Sequence, residues 1–182
     1  MKFKKSKKTG NLVVEIEPGN TRLINEINGP ITELKKLLVP IDFSDCSKHA
    51  LQYAIAFAKQ FDAEIMLLAV IPDPRTSFEY GVAEFADLQN QRRKQYEQEL
   101  TKLADQQLRK IKHKILVRMG KPFEEIVSAA KEADLDMIII STHGHMGLRH
   151  VELGSTAERV IRYATCPVLV VRTKQREFVS PV

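Results

Sequence analysis

Glycine and hydroxyl residues late in the chain have the types and spacing of a phosphate-binding site. Gly144 and Gly147 carry no Cβ, so the backbone around them can turn sharply and point its amides into a shared cavity. Gly154, Ser155 and Thr156 lie where a helix is predicted to begin, and a helix start offers unpaired N–H groups and partial positive charge. These residues could therefore hold a polyphosphate from two sides. A loop that needs glycine for its turns, with Ser155 as an ordinary helix cap, would have the same sequence.

Further candidate residues follow the other predicted strands. Asp42 could accept hydrogen bonds from a ribose hydroxyl or an adenine amino group, or it could serve as a second helix cap beside Ser44. Val70 and Ile71 could form an apolar wall for a base, or they could belong to the core. Gly120 would let the backbone approach a ligand closely, although turn geometry explains a glycine there equally well.

The loop after the fourth predicted strand also contains three histidines. The tetrapeptide Thr142-His143-Gly144-His145 resembles the phosphate-binding histidine signature of nucleotidyltransferases, but in those enzymes the signature follows the first strand. His143, His145 and His150, with Glu152, could suggest a metal site, although no cysteine completes the set. Adenylyl transfer and a structural metal site are therefore alternatives. A divalent metal held mainly through bound phosphates is favoured over a protein-only metal site.

The chain offers no group of nucleophile, base and acid that would indicate catalysis. Cys46 falls in the first turn of a predicted helix, where the helix dipole favours a thiolate. Cys46 could therefore take part in redox chemistry, or it could be a small buried residue. A phosphate cradle without a placed general base is a binding site first, and we expect any hydrolysis to be slow.

Five apolar segments alternate with amphipathic ones, and this alternation predicts how the candidate residues are positioned. The apolar segments are continuous runs, which is typical of strands buried on both faces of a parallel sheet. Right-handed crossovers then give a doubly wound α/β sheet, whose ligands bind outside the carboxyl ends of the strands where the strand order reverses. The predicted strands are Leu37–Ile41, Ile65–Ile71, Lys114–Arg118, Met137–Ile140 and Val168–Val171.

Four helices are predicted between these strands from apolar residues at helical spacing. They are expected to begin after Ser44, to span about residues 87–112, to run from Pro122 to about Ala133, and to begin at about Ser155. The spacing places Ile111 on the inner face of the second helix and Ile161 on the inner face of the fourth.

The composition is that of a globular chain with a basic N-terminal extension. Of 182 residues, 43% are hydrophobic and 28% are charged, which excludes a wholly disordered, collagen-like or coiled-coil chain. No apolar run approaches the ~18 residues of a membrane span, and the basic start does not lead into a secretory signal. Residues 1–30 hold six basic and three acidic residues of a chain with net charge +5. The run Lys2–Lys8 could bind an acidic surface, but a solvated terminus is the simpler interpretation, and nucleic-acid binding is not indicated.

Three segments are predicted: an extension over residues 1–30, one domain over residues 31–174, and a tail over residues 175–182. Cys46 and Cys166 are far apart and in no CxxC pattern, which suits a reducing compartment better than a disulfide scaffold. The expected location is therefore cytoplasmic.

The segment from about Leu34 to Arg172 resembles a universal stress protein domain. Four stretches carry the resemblance: Val39–Ser44, Gly120–Pro122, Ser141–Ser155 and Ala164–Val171. ATP-binding members of that family carry the pattern G-x2-G-x9-G-(S/T). Here Gly144, nine following residues and Gly154-Ser155 match it, whereas Ser141 replaces the first glycine. The Cβ and hydroxyl of this serine could crowd a nucleotide.

The resemblance implies a five-stranded parallel sheet in the order 3-2-1-4-5, of the adenine nucleotide alpha hydrolase-like fold. In this order the first and fourth strands are neighbours, so that Asp42 faces the loop Ser141–Gly144 where the order reverses. The resemblance also implies a homodimer that pairs the last strands across a two-fold axis. The short apolar edge strand Val168–Val171 agrees with this.

The resemblance further implies a cytosolic stress-response or regulatory protein that binds ATP, with Mg²⁺ or Mn²⁺ held through the phosphates. A nucleotide-free dimeric interaction module of the same fold is the alternative, and an adenylyltransferase is less favoured. The residues expected to contact the nucleotide are Pro40, Asp42, Val70, Gly120, Ser141, His143, Gly144, His145, Gly147, Gly154, Ser155 and Thr156.

Overall fold

In a computed structural model of the chain, each predicted apolar segment forms a strand and helices lie between the strands. The structure describes residues 2–5, 12–15, 34–72, 82–142 and 153–172, with the backbone alone for 2–5, 12–15 and 82–85. The chain divides into two compact units, Met1–Glu33 and Leu34–Val182.

The N-terminal unit contains a two-stranded antiparallel ribbon. Strand β1 (Lys2–Lys5) pairs with β2 (Leu12–Glu15), with Lys2 opposite Glu15 and Lys5 opposite Leu12. The apolar residues of β2 predict a strand. The lysines of β1 give no such signal. This segment forms a strand because β2 supplies the partners for its backbone hydrogen bonds.

The second unit alternates strands and helices along the chain. Its elements are β3 (Lys36–Pro40), α1 (Asp45–Phe61), β4 (Glu64–Pro72), α2 (Val82–Gln107), β5 (His113–Gly120), α3 (Pro122–Glu132), β6 (Met137–Ser141), α4 (Ser155–Tyr163) and β7 (Val168–Val171). Among the described residues, no helix combines the length and the apolar composition that crossing a membrane requires.

The five strands of this unit form one parallel sheet in the order β5-β4-β3-β6-β7. Numbered from β3, this is the predicted order 3-2-1-4-5, which is confirmed. The chain proceeds outward from β3 through β4 to β5, and then returns to add β6 and β7 on the other side. The order therefore reverses between β3 and β6, which is where such folds bind ligands.

Each face of the sheet is covered by two helices. Side chains that point to one face, such as Leu37 and Val39, pack with α1 and α2, whereas Leu38 and Ile138 pack with α3 and α4. All four of these side chains are fully buried. Burial of each such side chain stabilises the fold by about 1.5–3 kcal/mol, and doubly covered strands explain the continuous apolar runs.

Two helix predictions are wrong in detail. Helix α2 begins at Val82 and ends at Gln107, so Ile111 lies past its end, where it packs against the core from the turn into β5. Helix α4 buries Ala157 and Val160 but leaves Ile161 45% exposed. Ile161 follows Val160 and therefore points about 100° away from it around the helix axis. Because α4 packs against the protein on one side only, this direction leaves Ile161 exposed.

Candidate functional site

A crevice opens at the carboxyl ends of β3 and β6. The β3–β4 ladder runs from Lys36–Glu64 to Pro40–Leu68, but the β3–β6 ladder holds only the pairs Leu37–Met137 and Leu38–Ile138. Beyond these pairs β6 stays with β7, and the Thr142 N–H donates to Val171 O at 3.1 Å. The two central strands therefore separate at the point where the strand order reverses.

Asp42 lies at the β3 side of this crevice and is held by its neighbour Ser44. The Ser44 N–H donates to Asp42 Oδ1 at 3.1 Å, and the Ser44 hydroxyl donates to the same oxygen at 2.5 Å. Ser44 is also the N-cap of α1, because its Oγ accepts from the Ser47 N–H at 3.2 Å. Ser44 rather than Asp42 thus caps the helix, and the half-buried Asp42 carboxylate is oriented by the cap residue.

Ser141 and Thr142 form the β6 side of the crevice, and both are buried. Ser141 is the last residue of β6 and lies opposite Val171. Thr142 O accepts from the Gly154 N–H at 2.7 Å. This hydrogen bond joins the two ends of the loop between β6 and α4, so the start of α4 lies at the same edge of the sheet as Asp42.

The start of α4 is a helix end without a side-chain cap. Gly154 is the N-cap residue, and it offers no side-chain acceptor. The first helical bond runs from the Glu158 N–H to Gly154 O at 3.0 Å, so the amides of Ser155, Thr156 and Ala157 precede it. Because the Gly154 N–H already binds Thr142 O, the amides of Ser155 and Thr156 are the better candidates to meet a phosphate.

The backbone does not explain why residue 154 is glycine. Its φ of −68° and ψ of 150° are accessible to every residue. Glycine is a common N-cap residue, but a serine, threonine, asparagine or aspartate there would place a side-chain oxygen on the amides. A glycine at this place keeps the helix start open to an external acceptor.

Pro40 and Val70 lie at the same edge of the sheet. Pro40 ends β3 opposite Leu68, and Val70 lies two residues further along β4, past the end of β3. Both are half-buried, and Val70 packs on the α3 and α4 side. Val70 therefore packs against the core while part of its surface stays exposed at this edge of the sheet.

Gly120 is the last residue of edge strand β5. It pairs with Pro72 of β4, and β5 is two strands from β3 in the sheet. Its φ of 145° is one that residues with side chains rarely adopt, and an added Cβ would lie 2.9 Å from Glu125 Oε1. Turn geometry therefore accounts for this glycine without a ligand.

The remaining sequence candidates follow β6 in the chain. His143, Gly144, His145 and Gly147 lie outside the described residues, as do His150 and Glu152 of the alternative metal site. Within the part of the chain that the structure describes, no three histidine, cysteine or acidic side chains cluster as metal ligands would.

Cys46 and Cys166 are both half-buried and unlinked. Burial raises the pKa of the Cys166 thiol, which disfavours the reactive thiolate.

A surface cleft of about 460 Å³ lies between α3 and α4, outside the crevice. Phe123 of α3 and one face of α4 line it, and Arg159 Cζ lies 4.8 Å from the centre of the Phe123 ring. Ser155 belongs to this lining and is exposed.

Sequence reasoning missed Phe43 and Tyr96. Phe43 has a φ of +65°, and its ring meets that of Tyr96 edge to face with 5.5 Å between centroids. Phenylalanine gives no sequence signal for a left-handed conformation, because bulky residues rarely adopt it. A glycine or asparagine at position 43 would have indicated a left-handed conformation.

Several known proteins are similar to this chain. The family model described as "Universal stress protein family" matches residues 33–172. Universal stress protein MJ0531 of Methanocaldococcus jannaschii is 36% identical over 146 residues, which cover 79% of this chain and 85% of that protein.

Solved structures share the fold. That of the hypothetical protein MJ0577, from the same organism, is 33% identical with a TM-score of 0.70, and the match covers 79% of this chain and 99% of that one. Its fold is adenine nucleotide alpha hydrolase-like. A universal stress protein in complex with cAMP is 20% identical with a TM-score of 0.52, over 75% of this chain and 95% of that one, which is a likeness of fold alone.

Proposed function

This chain belongs to the universal stress protein family, and from that premise we propose that it is a cytoplasmic stress-response or regulatory protein that binds ATP. The nucleotide lies in the crevice between β3 and β6, with Mg²⁺ or Mn²⁺ held through its phosphates. The structure with cAMP supports the choice of an adenine nucleotide only in that a protein of this fold accommodates one.

The observation that carries the proposal is the open start of α4 beside the crevice. Gly154 has no side chain to accept from the amides of the first turn, and its hydrogen bond to Thr142 holds this turn at the edge where β3 and β6 separate. Helix N-termini bind phosphate through such amides and through the partial positive charge of the helix. The crevice thus offers a site for the phosphates that needs no lysine or arginine.

The other residues of the crevice suit the rest of the nucleotide. Asp42 presents a carboxylate that is already oriented by two hydrogen bonds from Ser44, and it accepts hydrogen bonds from the ribose hydroxyls or the adenine amino group. Val70 and Pro40 supply apolar surface for the base. His143, Gly144, His145 and Gly147 complete the phosphate loop in this proposal.

The proposal is one of binding, with at most slow hydrolysis. The described residues of the crevice are a carboxylate held by a helix cap, hydroxyls, amides and apolar side chains, and none forms a pair of base and orienting acid. A bound divalent metal would neutralise phosphate charge. The protein contributes position and exclusion of water, which suits a switch controlled by ligand.

Calorimetric titration with ATP-Mg²⁺ tests the proposal. We expect heat of binding for the wild-type chain, a loss of affinity of about 1–3 kcal/mol for Asp42→Ala, and no measurable binding for Gly154→Val. Valine is compatible with the backbone at position 154, so thermal unfolding should show that this variant remains folded. Absence of heat for the wild type at millimolar ATP-Mg²⁺ would remove the proposal.

A second candidate is favoured by Ser141. This residue replaces the first glycine of the ATP-binding pattern and is only 9% exposed at the end of β6. If its side chain excludes nucleotide, the chain is a nucleotide-free dimeric interaction module of the same fold. Ser141→Gly distinguishes the two, because it should create ATP binding in such a module but change the affinity little in a protein that already binds ATP.

In both candidates the chain forms a homodimer through β7. This strand is at the edge of the sheet, and Val168, Leu169 and Val170 are half-buried in the single chain. The exposed Ile161 adds apolar surface on α4. An apolar edge strand of this kind pairs readily with a copy of itself.

A further inference from the structure

The loop that carries Asp42 contains a backbone conformation that needs support. Phe43 has a φ of +65°, in the left-handed region. This conformation is unfavourable for a residue with a Cβ, and it persists only where surrounding contacts hold it. Glycine would avoid this cost.

The ring contact is with Tyr96 of α2. The two rings meet edge to face, with 5.5 Å between centroids and 79° between planes. Both side chains are half-buried and pack against the core on the α1 and α2 side of the sheet. Aromatic pairs in this geometry stabilise the fold beyond the effect of their buried area, so the ring contact offsets part of the cost of the left-handed residue.

Asp42 lies between two anchored residues. On one side the Ile41 N–H donates to Leu68 O at 2.8 Å, which continues the pairing with β4. On the other side Phe43 turns the chain so that Ser44 can cap α1 and hold the Asp42 carboxylate. The turn at Phe43 thus places Ser44 where it can donate to the Asp42 carboxylate.

From this geometry we infer that Tyr96 is a positioning residue for the nucleotide site. It acts through the Phe43 ring, which holds the left-handed turn that aims Asp42 at the crevice. The inference rests on the proposed function, because it assigns Asp42 to nucleotide binding. It also gives α2 a part in a site to which that helix contributes no contact among the described residues.

A double-mutant cycle on ATP-Mg²⁺ binding tests this inference. Tyr96→Ala should weaken ATP binding at least about threefold, in the range seen for residues that act without touching a ligand. In the Asp42→Ala background the same substitution should change affinity less than about twofold, because its effect passes through Asp42. Tyr96→Phe keeps the ring and should restore wild-type affinity.

The matched control is Phe61→Ala, which removes core packing far from Asp42. Phe61 packs against the same core cluster and stacks on Phe57, but it ends α1, sixteen residues and about 24 Å from the start of that helix. Phe61→Ala should therefore lower the melting temperature without changing affinity for ATP. A role of Tyr96 in stability alone would give the same pattern for both alanine variants.

The possible outcomes separate the inference from the proposed function. If the wild-type chain binds ATP and Tyr96→Ala binds it equally well, the inference is overturned while the proposed function stands. Fully additive losses from Tyr96→Ala and Asp42→Ala would also overturn it, because Tyr96 would then act by another route. If the wild-type chain binds no nucleotide, both the proposed function and the inference fail.

Discussion

At the scale of single residues, the site depends on conformations that side-chain type alone does not reveal. Phe43 adopts a positive φ that its sequence does not signal, and Gly154 occupies a conformation that any residue could adopt. The first is held by a tertiary ring contact, and the second leaves a helix start open. Only Phe43 departs from the local preference of its residue, and departures of this kind are expected at functional or strained positions.

The strain at Phe43 can be measured by comparing two truncations. Phe43→Ala and Phe43→Gly both remove the ring contact with Tyr96, but only alanine retains the cost of a Cβ at a φ of +65°. We expect Phe43→Gly to have the higher free energy of unfolding in urea, by about 1 kcal/mol. Equal stabilities would show that the left-handed turn relaxes once the ring is gone.

Glu132 should make stability depend on pH in the acid range. Arg118 Nη2 and the Ser128 hydroxyl both donate to its carboxylate at 2.5 Å, and these bonds lower its pKa from 4.5 to about 2. Because the pKa of Glu132 is lower in the folded state, its ionised carboxylate stabilises that state above pH 4.5. This stabilisation is lost as the carboxylate is protonated between pH 4.5 and 2.

The free energy of unfolding of Glu132→Gln, measured against wild type across this range, checks the effect. We expect the difference between the two proteins to shrink as the pH falls from 4.5 to 2. Arg118→Gln should raise the pKa of Glu132 in an NMR titration. A difference in stability that stays constant over this range would contradict the assignment.

At the scale of secondary-structure elements, the sequence predicts the five strands well because each is a continuous apolar run. Val168–Val171 matches its prediction in full, and the other four differ by one or two residues at their ends. The helix bounds are less predictable. Helix α2 ends at Gln107 rather than near residue 112, because the chain must turn to enter β5 and apolar Ile111 packs equally well from that turn.

The sequence predicts the candidate-site residues at the strand ends better than it predicts the contacts between residues far apart in the chain. Asp42, Ser44 and the start of α4 follow directly from the rule that ligands bind at the carboxyl ends of parallel strands. The contact between Phe43 and Tyr96 joins residues 53 positions apart, and no local pattern encodes it. The same is true of the hydrogen bond from Gly154 to Thr142, which depends on how a long loop closes.

Helix α2 contains a buried polar group that should lower stability. Gln89 is only 8% exposed, and among the described residues neither its amide nitrogen nor its amide oxygen has a hydrogen-bond partner. We expect Gln89→Leu to raise the free energy of unfolding by about 1 kcal/mol, because an apolar side chain of similar size avoids the desolvation cost.

The control for this substitution is Gln95→Leu on the same helix. Gln95 is exposed and donates to Glu99 Oε1 at 3.0 Å, so its replacement should change stability little. Chemical denaturation of both variants gives the comparison. A fall in stability for Gln89→Leu would indicate that the amide has a partner in solution.

At the scale of the whole molecule, the sheet has two edges, and β7 is the edge proposed to pair with a second copy. The Ile138 N–H donates to Pro167 O and the Thr142 N–H to Val171 O. In a parallel ladder the odd-numbered residues of β7 therefore bond to β6, and the backbone groups of Val168 and Val170 point to the open edge.

Val170→Pro tests the dimer without breaking the sheet. Proline removes an outward N–H that β6 does not use, and proline is tolerated at such positions of edge strands. Sedimentation should show the wild type as a dimer and Val170→Pro as a monomer of the 20.7 kDa chain. Val170→Ala keeps the N–H and should remain dimeric. A wild-type monomer at all concentrations would contradict the proposed pairing.

In the proposed complex, the start of α4 binds the phosphates of ATP beside the β3–β6 crevice. Amide NMR spectra recorded during titration with ATP-Mg²⁺ test it directly, because they report on the groups that would donate. We predict that the amide signals of Ser155 and Thr156 shift in step with occupancy, and that Gly154→Val abolishes the shifts. Saturable ATP binding that leaves both amides unmoved would contradict the claim.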